Sequence, residues 1–342
     1  MVRKLTNLLI LAVLVLMTSC DHKELCYHHP HSGKIRVEFD WKDAPEANPE
    51  GMCVFFYPEE GGEPIRVDFS GKTGGEVELT NGKYKIITYN NDTDGILFYG
   101  INDFFNHTFY TRDSNPLEPI YGPTAKYVPS KAEDEIEERV VLDPDMMWGC
   151  TATEVEITEM GVSYICVPES QKGQTAGLTT VSEKVITLYP HELTCIYTVE
   201  VRNVKNLSGM DLVSGILTGM AGELRMHDEQ LSEECVSIPF AGRKSGTDKI
   251  EAQFITFGHN TANLKHHHIE LFVVMNDKNK LHYYDDADGS RYDVNDQVEN
   301  APNKRRVHLI IDGLDLPVPI SSGSGFDATV DDWDIVESDI EL

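Results

Sequence analysis

Along most of this chain apolar and polar residues alternate one by one, the period of an extended strand with a single buried face. In KIRVEFDW (34–41), Ile35, Val37, Phe39 and Trp41 alternate with Lys34, Arg36, Glu38 and Asp40. PIRVDFS (64–70) repeats the pattern through Ile65, Val67 and Phe69, and GEVELT (75–80) through Val77 and Leu79. Asn81-Gly82 comes next. Both residues accept positive φ, so the dipeptide predicts a tight hairpin with KYKIITY (83–89) as its return strand. ILFYGI (96–101) is a short apolar run, and TATEVEIT (151–158) and VSYIC (162–166) resume the alternation.

In the second half, VITLYPHELTCIYTVEVRNV (185–204) turns Cys195, Tyr197, Val199 and Val201 one way and Ile196, Thr198, Glu200 and Arg202 the other. CVSIPF (235–240), KIEAQFITF (249–257), HIELFVVMN (268–276), KLHYYD (280–285) and RRVHLIID (305–312) predict further strands. LVSGILTGMAGEL (212–224) is rich in glycine and reads as a short helix or an irregular crossover. Residues 111–146 carry Pro116, Pro119, Pro123, Pro129 and Pro144 with acidic residues near 133–138, the marks of a long loop with a short helix. SQKGQTAGLTT (170–180) is a polar loop. Strands without interleaved amphipathic helices argue for sandwiches and against βαβ units.

The first residues are of another kind. Arg3 and Lys4 precede an apolar run from Leu8 to Met17, then Thr18 and Ser19, as in a secretory signal peptide. That run is shorter than the about 20 residues a membrane-spanning helix needs. Leu16-Met17-Thr18-Ser19-Cys20 is similar to the bacterial lipobox, in which the cysteine receives diacylglycerol and becomes the mature N-terminus. The resemblance makes Cys20 the expected lipidation site and the only site residue expected. Asp21, Lys23 and Glu24 follow at once and resemble the export tags of surface lipoproteins.

Charge narrows the partners. The chain has 29 basic and 57 acidic residues, a net charge of −28. Such a surface repels phosphate backbones, so no nucleic-acid partner is expected, and it offers no polybasic route to anionic lipid. Attachment to the membrane then rests on lipid at Cys20.

Candidate chemistry is sparse. Beyond Cys20, Cys26, Cys53, Cys150, Cys166, Cys195 and Cys235 either form disulfides in an exported protein or remain buried thiols. Histidines cluster at His22, His28, His29 and His31 and again at His266, His267 and His268. Neighbouring residues of an extended chain point to opposite sides, and no HExxH or CxxC frames these groups, so no metal is expected. NNDTDG (90–95) and DADG (286–289) have the start of a calcium loop. Each lacks its closing glutamate, with Ile101 and Asn295 in that place, and each reads as an Asx-rich hairpin turn. No GxSxG, SxxK or phosphate-binding glycine loop is present, so neither catalytic residues nor cofactors are expected.

The Cys20 segment, LCYHHPH (25–31) followed by VEFDW (37–41), LTNGKYKIITYNND (79–92), ILTGMAGEL (216–224) and GFDATVDDW (325–333) together resemble Bacteroidota surface lipoproteins related to FimB-type fimbrial anchor and tip proteins. The resemblance implies an all-β chain of two tandem transthyretin-like β-sandwich domains behind a lipid anchor. It also implies a role in pilus anchoring, assembly or adhesion, with fimbrillin-like subunits or host surface ligands as partners. The expected organisation is a signal peptide at 1–19, a lipidated tether at 20–32, a first sandwich at 33–183 and a second at 184–342. The acidic end from Phe326 to Leu342 reads as either an edge strand or a disordered tail. The expected location is the outer membrane, lipid-anchored and exposed on the cell surface. The alternative is a surface glycan-binding lipoprotein, for which Tyr283 and Tyr284 are the candidate stacking rings.

Overall fold

The computed structural model describes residues 32–128, 136, 138–172, 180–263, 265–284 and 292–318. The described residues are 53% strand and 6% helix, so backbone hydrogen bonds between distant segments hold them together. In order the strands are β1 (Ser32–Phe39), β2 (Gly51–Pro58), β3 (Ile65–Ser70), β4 (Gly74–Thr80), β5 (Gly82–Asn90), β6 (Leu97–Tyr99) and β7 (Thr108–Tyr110). After helix α1 (Glu118–Tyr121) come β8 (Arg139–Val140), β9 (Trp148–Ile157), β10 (Val162–Ile165), β11 (Thr180–Ser182), β12 (Val185–Leu188) and β13 (His191–Glu192). Next are β14 (Cys195–Lys205), β15 (Met210–Ala221), β16 (Glu223–Arg225), β17 (Gln230–Leu231), β18 (Cys235–Ser245) and β19 (Lys249–Thr256). β20 (Ile269–Met275), β21 (Lys280–Tyr283), α2 (Asn295–Glu299) and β22 (Arg306–Asp315) complete the described chain.

The alternating segments form a sandwich. A three-stranded sheet, β12-β1-β4, faces a larger one ordered β11-β10-β9-β5-β2-β3, with β13 paired to β9. Ile35 and Val37 of β1, Leu79 of β4 and Leu188 of β12 pack in one cluster with Phe56 of β2 and Ile86 of β5. Transferring such side chains out of water contributes about 1.5–3 kcal/mol each. β2 is buried along almost its whole length because the larger sheet has a second layer behind it. There Phe55, Tyr57 and Tyr89 pack with Phe109 and Leu224, from the four-stranded sheet β17-β16-β7-β6.

The remaining sheet runs β21-β20-β15-β18-β19-β14-β22, with β8 paired to β18. Its strands share a single cluster, including Val199, Leu217, Phe240, Val273 and Leu309, so the sheet curls around its own core. Its two ends approach each other, and the Tyr283 hydroxyl of β21 donates to the Asp315 carbonyl of β22 at 3.2 Å. Described parts of residues 108–141, in the first half of the sequence, pair with or pack on strands from the second half. β7 pairs with β16, β8 pairs with β18, and Leu117 and Ala125 pack on Ile216 and Phe272.

Four expectations are corrected. Asn81-Gly82 does not close a hairpin: β4 pairs with β1, while β5 pairs with β2 and β9. The dipeptide turns a corner between the two sheets, and the Tyr84 hydroxyl donates to the Thr80 carbonyl at 2.9 Å across it. NNDTDG likewise links β5 to β6 of another sheet rather than closing a hairpin. LVSGILTGMAGEL is neither helix nor crossover but β15, flanked by β18 and β20 and buried almost throughout. Burial on both faces erased the alternation that would have marked it. Ile65, expected inside, is exposed on β3, where Phe69 is the buried residue.

Candidate functional site

Cys20, the expected lipidation site, lies outside the described residues, as do His22, His28, His29, His31, the DADG turn and the end segment from Phe326. Among the described residues, no helix is long and apolar enough to cross a membrane.

The described surface carries one cluster of large exposed apolar side chains close together in sequence: Leu97, Phe98, Tyr99, Ile101 and Phe105. It sits on β6, the outermost strand of its sheet, and on the loop that follows it. Edge strands present unpaired N–H and C=O groups, and natural chains usually blunt them with charge or cover. Here the edge is apolar: Tyr99 is 46% and Phe105 53% exposed. Exposed apolar clusters of this kind mark interaction sites.

The presentation is rigid. Gly100 turns the chain at φ +65°, and a Cβ there would lie 2.1 Å from the Asn106 carbonyl oxygen. Asp103 accepts hydrogen bonds from the Phe105 N–H at 2.9 Å and from the Asn106 side chain at 2.6 Å. Phe98 stacks on Tyr89 beneath it at 5.4 Å, and the Tyr99 hydroxyl donates to Glu223 at 2.7 Å. A groove of about 230 Å³ opens beside Tyr99, lined also by Thr108, Glu223 and Arg225. Lys85 lies 5.6 Å from the Phe105 ring centroid and holds Glu59 at 2.6 Å.

Under this surface His107 is fully buried. Burial presses its pKa down to about 4 and pushes the hydroxyls of Tyr57 and Tyr89 upward. The imidazole is therefore neutral at physiological pH. Nothing in the alternation signalled His107, which follows Phe104-Phe105-Asn106.

Elsewhere, two groups combine metal-ligand chemistries: His266, His268 and Asp293, and Glu169, His191 and Glu229. In the second, the Lys172 ammonium lies 2.5 Å from Glu169 and 2.8 Å from Glu229. Burial opposes ionisation of Glu229, yet the His191 imidazole and Lys172 hold its carboxyl down to about 2. The cysteines at 53, 150, 166, 195 and 235 are free thiols. Burial pushes Cys53 up to about 12 and raises Cys150, whose neighbour Cys166 is lowered by a hydrogen bond between them. The two candidate sugar-stacking rings differ: Tyr283 packs against the core, and Tyr284 is exposed.

Comparison with known proteins places this geometry. A Bacteroides ovatus protein named as a fimbrium anchoring subunit, Fim4B, is 29% identical over 137 residues, 38% of this chain and 40% of that protein. The chain thus matches about two fifths of that relative's length. A crystal structure of a Bacteroides ovatus protein described as an adhesin superposes with a TM-score of 0.56 at 17% identity, covering 84% of this chain and 95% of the other. That likeness establishes the shared β-sandwich fold. The fimbrial anchor protein Mfa2 of Porphyromonas gingivalis aligns with a TM-score of 0.44 at 13% identity over 82% of this chain and 91% of its own, and at that score adds no argument. Residues 19–241 match the family described as Domain of unknown function (DUF5119), and the chain belongs to that family.

Proposed function

We propose that the mature protein is held in the outer membrane by lipid on Cys20, is exposed on the cell surface, and works as a fimbrial anchor or accessory subunit or adhesin. It acts through protein–protein contacts, without catalysis. The observation that carries this reading is the apolar edge at β6, a strand outermost in its sheet, with Leu97 and Tyr99 exposed on the strand and Phe105 exposed in the loop that follows it. An extended segment from a fimbrial subunit can add to such an edge through main-chain hydrogen bonds, while the rings supply pockets for its alternate side chains. The similarity to Fim4B, named for fimbrium anchoring, supports the same reading. A lipid tether would raise the effective concentration of this edge near other tethered subunits.

The test is a photo-crosslinking amino acid at position 105, irradiated on intact cells of the native host, with captured proteins identified by mass spectrometry. Capture of fimbrillin-like subunits is expected. Capture of glycan transporters alone, with fimbriae unchanged after deletion of the gene, overturns the proposal in favour of glycan binding. The anchor is tested separately: Cys20→Ala is expected to abolish acyl labelling and detergent partitioning, and unchanged labelling rules lipidation out.

A further inference from the structure

We infer that His266, His268 and Asp293 form a binding site for a first-row divalent cation of zinc type. His266 and His268 are two apart on an extended segment and share a face, with ring centroids 6.2 Å apart. His267 between them turns inward, is fully buried and bonds His259 at 2.8 Å. An antiparallel bridge sets His268 opposite Asp293, which adds a carboxylate to the two imidazoles. One donor atom from each residue lies within 4.8 Å of the other two.

The spacing fits a metal. Zinc holds nitrogen and oxygen donors at about 2.0–2.2 Å, so tetrahedral donors stand about 3.4 Å apart. His266 Nδ1 and Asp293 Oδ2 are 3.5 Å apart. The donors are also held in place. The Asn295 N–H donates to Asp293 Oδ1 at 2.9 Å, which leaves Oδ2 facing His266. The His268 N–H donates to Thr218 Oγ1 at 2.9 Å, and the Val294 N–H donates to the His267 carbonyl at 2.9 Å. Such outer partners orient ligands in metal sites.

Among the described residues, no lysine forms an ion pair with Asp293. Lys265, the adjacent ammonium, is drawn to Glu138 at 3.4 Å, whereas Lys172 occupies the Glu169–His191–Glu229 group. Two imidazoles and one carboxylate suit zinc, copper or nickel better than calcium, which takes oxygen donors. Three protein donors leave a coordination position open to water or to a donor from another molecule. The net charge of −28 raises the local concentration of cations.

The experiment titrates Zn²⁺ by calorimetry, and Co²⁺ by visible absorption, into the full mature chain purified without a polyhistidine tag. His22, His28, His29 and His31 are changed to Gln in the parent, so that only the folded site is read. One equivalent is expected to bind, with a Co²⁺ ligand-field band. His266→Gln, whose ring is exposed and whose circular dichroism is expected to match the parent's, is expected to weaken Zn²⁺ binding by about tenfold or more and abolish the band. Asp293→Asn is expected to do the same. Absence of saturable binding in the parent, or affinity and spectrum unchanged by either substitution, overturns the inference.

Discussion

Nδ1 of His107 lies 2.6 Å from the hydroxyl oxygen of Tyr57, and that hydroxyl donates in turn to the carbonyl of Ile101 at 3.1 Å. Tyr57 has one proton to give, so the fully satisfied arrangement places the imidazole proton on Nδ1. Nε2 then accepts from Tyr89 at 3.1 Å. The chain of bonds runs from the core to the loop that carries Ile101 and Phe105. Neutral His107 therefore fixes the backbone of the exposed apolar surface.

Protonation of His107 works against folding. Its folded pKa, about 4, is below the unfolded value of about 6.5, so between these values the unfolded chain binds more protons and stability falls as pH falls. The full loss, reached below pH 4, is roughly 3 kcal/mol. Asp143, which burial raises to about 6, acts in the opposite sense over the same range, so the difference between variants is the quantity to read. His107→Phe should cost about 1–3 kcal/mol at pH 7.5, because the Tyr89 hydroxyl loses its acceptor and the Tyr57 hydroxyl loses its donor. That deficit should shrink at pH 4.5, as measured by urea unfolding at both pH values.

The surface on β6 should separate binding from folding. Phe105→Lys and Leu97→Lys replace exposed side chains, so thermal stability should change by no more than about 0.5 kcal/mol. Crosslinking to surface partners should fall. Phe98→Ala should instead lower the melting temperature, because Phe98 packs on Tyr89 and Phe109 at 5.4 Å and 5.3 Å.

β15 depends on a small residue at its centre. A Cβ at Gly215 would lie 2.5 Å from Phe240 Cζ and 2.7 Å from the Glu270 carbonyl oxygen, the latter on a neighbouring backbone. Gly215→Ala should destabilise by about 1–3 kcal/mol, the usual cost of overpacking. Truncating the opposing ring in Gly215→Ala/Phe240→Leu should recover part of the loss in chemical denaturation.

We propose that the chain divides into two units, and the boundary near residue 183 can be set against a later one. β12 pairs with β1 and adds Ile186 and Leu188 to the first cluster, while β14 begins the curled sheet. A fragment of residues 33–193 should resist protease better than one of 33–183. Equal resistance of the two would place the boundary at 183.

The inward faces of β1, β4 and β14 could be read from single alternation, because a strand with one wet face must change polarity at every residue. The register of Cys195, Tyr197, Val199 and Val201 was legible for that reason, and all four are buried. The long loop with its short helix could be read from its prolines. The partner of each strand could not. Main-chain hydrogen bonds are the same whatever the side chains, so β4 and β5 enter different sheets although Asn81-Gly82 suits a hairpin. β15 was illegible because two dry faces leave no polarity to alternate. Edges and clusters were hidden too: ILFYGI (96–101) read only as a short apolar run until the topology left β6 at a sheet margin. His266 and His268 gained a carboxylate only when the fold brought Asp293, distant in sequence, across a single bridge. Alternation records which face of a strand is dry, whereas pairing between strands far apart depends on how the whole chain closes.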